Sequence, residues 1–441
     1  MEPIVVIGAG LAGCEAAWQI SRRGGRVLLH EMKPETYSSA HQHPSLAEIV
    51  CSNSFKSESL ENAHGLLKEE MRQFDSLILR VAQETRVPAG HSLAVDREAF
   101  SNRVTQVLEG LDGVKVVRKE VKILPEGPVT IVATGPLTSE ALSGEIQRLT
   151  GNRHLFFYDA ISPIVSAESV DFSKIFTASR YAKGGDDFVN CPLGSEEYYR
   201  FVEALRKAER VPVRDFERRY LFEGCLPVEE LADRGVDTLA FGPLKPVGLV
   251  DPVTGQRPFA VVQLRHEDRS GACFNLVGFQ TRLKQGEQRR VFQMIPGLEN
   301  AEFVRWGSVH RNTFVDSPRL LRDSLQLKNH SRLFLAGQIT GVEGYMESTA
   351  MGILAGVNAH RYAKGLPVAA PPRKTAMGAL VHYITGTESL PFQPMNINFG
   401  LFPSIEGRGQ RKRELIVKRA LDAIRDWKQE INEQSSISSY Q

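Results

Sequence analysis

The apolar positions at the start of the chain change period twice. Ile4–Ile7 is a β-branched run suited to a buried strand. Gly8-x-Gly10-x-x-Gly13 then turns the chain into a helix that begins near Leu11, and residues 26–30 (RVLLH) form a second short strand followed by Glu31. This strand–turn–helix–strand order is the setting in which three glycines bind a dinucleotide. Gly8 permits the tight turn, Gly10 lets a pyrophosphate approach the backbone, and Gly13 lets helix and strand pack closely. The unpaired N–H groups of the helix start meet the phosphates. Glu31 stands where an acid takes the ribose hydroxyls, and a carboxylate there disfavours a 2′-phosphate.

Further on, residues 61–84 read as one amphipathic helix, with Leu66, Leu67, Met71, Phe74, Leu77, Ile78 and Val81 on one side. Another helix starts around Asp96, and strands are expected at 114–118 and 129–133, the latter running into Gly135. From about residue 155 the texture changes to short apolar runs between turns. The runs 259–264 and 273–279, separated by a turn, suggest an antiparallel sheet inserted into the first fold. Residues 333–358 then give a buried strand into Gly337, a Gly341–Gly344 turn and a helix of small residues. A second glycine turn of this kind, paired with the first, is what an FAD domain needs. The expected fold is therefore α/β: an FAD-binding Rossmann-like domain of glutathione-reductase type with an inserted mixed α+β domain. Residues 1–155 and 301–370 form the discontinuous FAD-binding domain and 156–300 the insert on the substrate side. A proline-rich linker leads into a C-terminal extension, 371–441, with a basic helix at 411–430 and a disordered SSISSYQ tail.

Composition adds little beyond this. Of 441 residues 42% are hydrophobic and 24% charged, with a net charge of +2, so any RNA surface must be a local patch. Five scattered cysteines make no disulfide framework and no CxxC pair. No signal peptide and no membrane span are read, and the expected location is the cytoplasm. His41 and His43 have the spacing of a metal pair but lack further ligands, so no metal is expected. Two cysteines carry candidate chemistry. Cys51 precedes the polar Ser52-Asn53-Ser54, and Cys225 precedes a helix start with Pro227, Glu229 and Glu230; both settings favour a thiolate. Cys14, Cys191 and Cys273 read as packing residues. His310 lies in a polar stretch expected to face a cavity, and Arg282, Lys284, Arg289 and Arg290 form a basic cluster in the insert, which together with Arg411–Arg413 suits phosphates.

Taken together, GAGLAGCEAAW, EIVCSNS, LAVDREAF, ATGPLTS, NCPL, CLPVEELA, FGPLKPVGLVDP, MIPGLENAEFVR, HRNTF and GQITGVEGYMESTAMG resemble the folate- and FAD-dependent tRNA uracil-5-methyltransferase family, TrmFO. The wobble-uridine-modifying relative, GidA, is similar around GQITGVEGY but is longer; it and a small-molecule flavoprotein oxidoreductase are the alternatives. The resemblance implies methylation of C5 of the T-loop uridine at tRNA position 54, giving ribothymidine. The carbon comes from 5,10-methylenetetrahydrofolate and the reducing equivalents from NAD(P)H through the flavin. Such chemistry needs a nucleophile for C6, a base for the C5 proton and a hydride source. Cys225 is taken as the nucleophile and Cys51 as the general acid/base or a flavin-side thiol, although spacing is equally compatible with the reverse. His310, Arg311, Asn312 and Tyr345 are candidate walls for folate, and the T-arm of tRNA is the expected partner, with no stable protein partner evident.

Overall fold

The computed structural model describes residues 2–151, 155–180, 185–212, 226–386 and 392–437. Its centre is a six-stranded sheet made of β1 (Ile4–Ile7), β2 (Val27–Glu31), β3 (Val114–Arg118), β4 (Thr130–Val132), β5 (Gln326–Leu327) and β6 (His330–Leu335), in the order β5-β6-β4-β1-β2-β3. All neighbours are parallel except the β5–β6 pair. β1 is buried along its whole length because β2 and β4 flank it and helices cover the sheet. Helix α1 (Leu11–Ser21) leaves the glycine turn and packs along α4 (Tyr345–Ala363). The approach is close: a Cβ on Gly352 would lie 2.3 Å from the Ala12 carbonyl oxygen, and one on Gly356 2.8 Å from that of Ala16.

The expected helix over 61–84 is two helices, α2 (Ala63–Gln73) and α3 (Leu77–Glu84). Asp75 between them has φ 48°. Ser76 then caps α3, its Oγ accepting from the Leu79 N–H while donating to the buried Glu15 carboxylate at 2.7 Å. The apolar period carries across this corner, which is why the pattern alone reads as continuous. The helix expected from around Asp96 runs Arg97–Glu109, capped by the Asp96 carboxylate.

The chain leaves the first sheet through Leu155–Ile161 and returns through Ser308–Phe314, two strands paired antiparallel. Between them lies a second sheet, antiparallel throughout, in the order Phe176–Thr177, Phe188–Leu193, Ala260–His266, Cys273–Leu276, Ile164–Ser166, Phe303–Arg305. It has its own core, in which Tyr198, Phe201, Val202 and Leu205 of the helix Ser195–Lys207 pack with Val262, Leu264 and Phe274.

The C-terminal segment is part of the first core. Helix α5 (Ala376–Gly386) is followed by α6 (Gly409–Ile437), longer than expected and reaching into the stretch read as a disordered tail. Ile416, Val417, Ala420, Ile424, Trp427 and Ile431 are buried, whereas Leu415 is exposed. Trp427 meets Phe74 with ring centroids 5.7 Å apart. The Arg361 guanidinium joins the Pro367 carbonyl of the proline-rich connection to the Ile431 carbonyl of α6.

Candidate active site and nucleotide cleft

A cleft opens at the carboxyl ends of β1 and β4, where strand order reverses and such folds bind ligands. Gly8, Gly10, Glu31, Gly135 and Gly337 line it. Gly8 has φ 94°, and a Cβ there would lie 2.7 Å from the Ala133 carbonyl oxygen. On Gly13 a Cβ would lie 1.8 Å from the Gly8 carbonyl oxygen, which is the close packing expected of that position. Gly10 differs: a Cβ there would meet no protein atom within 4 Å, and α1 starts beside it with no acid in its first turn. That space and those N–H groups fit a pyrophosphate.

Glu31 is nearly buried, and both of its oxygens already have partners. Oε2 accepts from the Ala9 N–H at 3.1 Å and Oε1 from the Lys33 N–H at 3.0 Å. The carboxylate fastens the glycine turn to the end of β2 while lining the cleft. Lys33, which the sequence reading missed, pairs with Glu48 at 2.9 Å, both side chains buried on the cleft wall. Burial pushes the Glu48 carboxyl up, but the Gln42 N–H and the Lys33 ammonium outweigh it and hold the group below its usual range. His41 also lines the cleft, its Nδ1 2.6 Å from Ser38 Oγ. Among the described residues no group of three or more His, Cys, Asp or Glu is placed to hold a metal ion.

A second cavity adjoins the first, sharing Val50, Pro136, Leu137, Gln338 and Tyr345 as walls. Cys51 lines it, with Asn312, Arg265, Glu343, Gly344 and Glu347. Cys51 Sγ lies 3.8 Å from the Ala160 carbonyl, and its N–H donates to the Tyr345 hydroxyl at 2.8 Å. Burial, then the neighbouring Cys51, raises the Tyr345 phenol well above its usual value. Tyr345 is the first residue of α4, beyond the glycine turn. Gly344 has φ 115° there, whereas Gly341 packs on the Phe392 ring and lines neither cavity.

Arginines surround the thiol's loop. Arg97 donates to the carbonyls of Ile49 and Cys51 and pairs with Glu267, and Arg265 donates to Asn53 Oδ1 at 2.8 Å and Ser52 Oγ at 2.9 Å. Burial lowers both guanidinium groups to about 10. Arg305, half-buried, donates to the Ala40 carbonyl.

Of the remaining expected residues, Cys225 lies outside the described residues, and so do the side chains of His310 and Arg311 on the returning strand. Asn312 is buried on the wall of the second cavity. Arg282 does not belong to an exposed basic patch: it is buried and donates to Glu230 and to the Val211 carbonyl, which commits its charge within the fold. Lys284 is exposed and pairs with Glu209 at 2.6 Å, while Arg290 pairs with Glu287 and Arg289 lies over the Trp306 ring. Cys14 and Cys191 are fully buried, and burial pushes both thiols up.

Residues 3–367 match the family of glucose inhibited division protein A. GidA from Aquifex aeolicus has the same fold, with a TM-score of 0.72 at 19% identity over 99% of this chain and 75% of that one. A protein of Geobacter sulfurreducens named methylenetetrahydrofolate–tRNA-(uracil-5-)-methyltransferase TrmFO is 59% identical over 427 residues, 96% of this chain and 98% of its own. This chain belongs to the TrmFO family. A TrmFO of Moorella thermoacetica is 56% identical over 96% of this chain and 97% of its own. The α/β architecture with an inserted antiparallel sheet is thus the GidA-type fold carried by a TrmFO chain.

Proposed function

We propose that this chain methylates C5 of a uracil in tRNA, taking the carbon from 5,10-methylenetetrahydrofolate, with FAD as its cofactor and NAD(P)H as the source of reducing equivalents. The family supports the reaction, and the observation that carries it is the pair of adjoining cavities. One has the glycine turns for a dinucleotide, and the other has a cysteine on its wall. The target is the T-loop uridine at position 54, and the location is the cytoplasm, where tRNA is processed. No described helix is long and apolar enough to cross a membrane.

Gly8, Gly10 and the start of α1, packed closely through Gly13, would hold the pyrophosphate of FAD, with Glu31 and Gly135 on the same cleft and Gly337 and Gly344 leading toward the cysteine cavity. When bound, FAD supplies the hydride and the one-carbon carriage that the methyl group requires. The residues act on the base. C5 of uracil becomes nucleophilic once a thiolate adds to C6 and pushes the electron pair toward C5, a role given to Cys225. After the carbon attaches, the C5 proton must leave. Cys51 takes it, and the thiolate on C6 is then expelled. A stacked T-loop uridine reaches these groups only when its base is extruded. The cavity bearing Cys51 has polar groups, Asn312, Asn275 and Gln280, to bind the edges of a base or a pterin.

Incubation of the purified protein with unmodified tRNA transcript, methylenetetrahydrofolate and NADPH gives ribothymidine. Absence of product while the flavin is reduced overturns the reading, and product from S-adenosylmethionine alone overturns the carbon source. In a 5-fluorouridine T-arm RNA the fluorine blocks loss from C5, so a covalent adduct accumulates in the parent protein and is absent in Cys225→Ala.

A further inference from the structure

The loop Cys51-Ser52-Asn53 belongs to the nucleotide-binding half of the chain, yet several of its anchors come from the inserted sheet. Arg265, on the strand Ala260–His266, donates Nε to Asn53 Oδ1 and Nη2 to Ser52 Oγ. Asn53 is fully buried and donates back, its Nδ2 lying 3.0 Å from the His266 carbonyl and 3.0 Å from that of Val95. Glu267, the next residue of the same segment, pairs with Arg97, whose other nitrogens hold the carbonyls of Ile49 and Cys51. Three successive residues of the insert, 265–267, thereby fix both sides of the cysteine. Such a network needs every donor satisfied, because each group is removed from water. It also pairs a planar two-nitrogen fork with two acceptors, a geometry lysine does not reproduce.

We infer that Arg265 and Arg97 are positioning residues for Cys51: they tie the thiol's loop to the inserted sheet, so that the thiol meets the uracil only while that sheet is seated. The inference rests on the reading that Cys51 takes part in the reaction. A proton transfer is sensitive to small displacements of the base, and because Arg265 also lines the cysteine cavity, the split between kcat and KM separates positioning of the thiol from contact with substrate.

The test compares Arg265→Met, Arg265→Lys and Ser52→Ala as holoenzymes, each checked for its FAD content. For Arg265→Met, kcat falls about 100-fold while KM for tRNA and for methylenetetrahydrofolate stays within about threefold. Arg265→Lys, able to reach one acceptor, recovers part of the loss. Ser52→Ala, which removes the Oγ that accepts from Arg265 and from the Ser54 N–H, loses about threefold in kcat. Because Cys51 acts after addition to C6, Arg265→Met still forms the 5-fluorouridine adduct to the parent extent. A kcat within twofold of the parent in Arg265→Met, or a loss confined to KM, overturns the inference, and Ser52→Ala decides if Arg265→Met does not fold. Loss of the adduct in Arg265→Met, together with the fall in kcat, keeps the positioning role and makes Cys51 the nucleophile. Full activity of Cys51→Ser instead removes the reading on which the inference stands.

Discussion

The Tyr345 hydroxyl accepts the Cys51 backbone N–H at 2.8 Å, joining residues 294 positions apart. The first residue of the second glycine-turn helix and the loop bearing the candidate thiol are thereby held as one unit between the two cavities. Tyr345→Phe removes that acceptor and leaves a partly buried N–H without it. The expected result is a fall in kcat of about tenfold with FAD retained, read from ribothymidine formation and flavin absorbance.

Gly10 and Gly13 separate ligand binding from folding. Gly13→Ala places a Cβ 1.8 Å from the Gly8 carbonyl oxygen, so β1 and α1 must move apart. It lowers the stability of the apoprotein by about 2 kcal/mol or more. Gly10→Ala meets no protein atom. It leaves the apoprotein melting temperature within about 2 °C, yet weakens FAD binding at least about tenfold. Thermal melts and flavin titrations of the two apoproteins check this contrast.

Lys33 and Glu48 form a buried ion pair on the cleft wall. Lys33→Met strands the carboxylate and costs about 3 kcal/mol in denaturant unfolding. Lys33→Met combined with Glu48→Leu removes both charges and is the more stable of the two variants. A double variant no better than Lys33→Met refutes the assignment of the loss to an unpaired charge.

His360, near the end of α4, supplies a pH dependence remote from the site. Burial lowers its folded pKa from 6.5 to about 4, with the Lys364 ammonium adding to the effect. The unfolded chain therefore binds the proton more readily, and stability falls as pH drops from about 6.5 to about 4. His360→Gln flattens that part of the curve, as melts across this range will show.

The architecture was legible because it is local: two glycine turns, each between an apolar strand and a helix, announce themselves in short windows. The C-terminal helix was legible as a helix but not as core, since its buried face contacts α2, some 350 residues earlier, through Trp427 and Phe74. The site was legible only in part. Cys51 stands out beside its polar cluster, but Arg97 reads as one residue of a helix start and Arg265 as the charged end of a strand. Nothing in a window joins positions 168 apart, and only the seating of the insert brings them to one loop. Arg282 failed in the opposite way. Its neighbours in sequence are basic, but its neighbour in space is Glu230.

The sheet that builds the nucleotide cleft pairs β4, residues 130–132, with β6, residues 330–335. During synthesis from the N-terminus, about 200 residues, most of them the insert, emerge between these two partners. The first four strands must wait at the ribosome with one side of β4 unpaired while the antiparallel insert, with a core of its own, folds first. The glycine turn at Gly8 thus exists long before α4 arrives to close its cleft, and cofactor capture becomes a late, almost post-translational event.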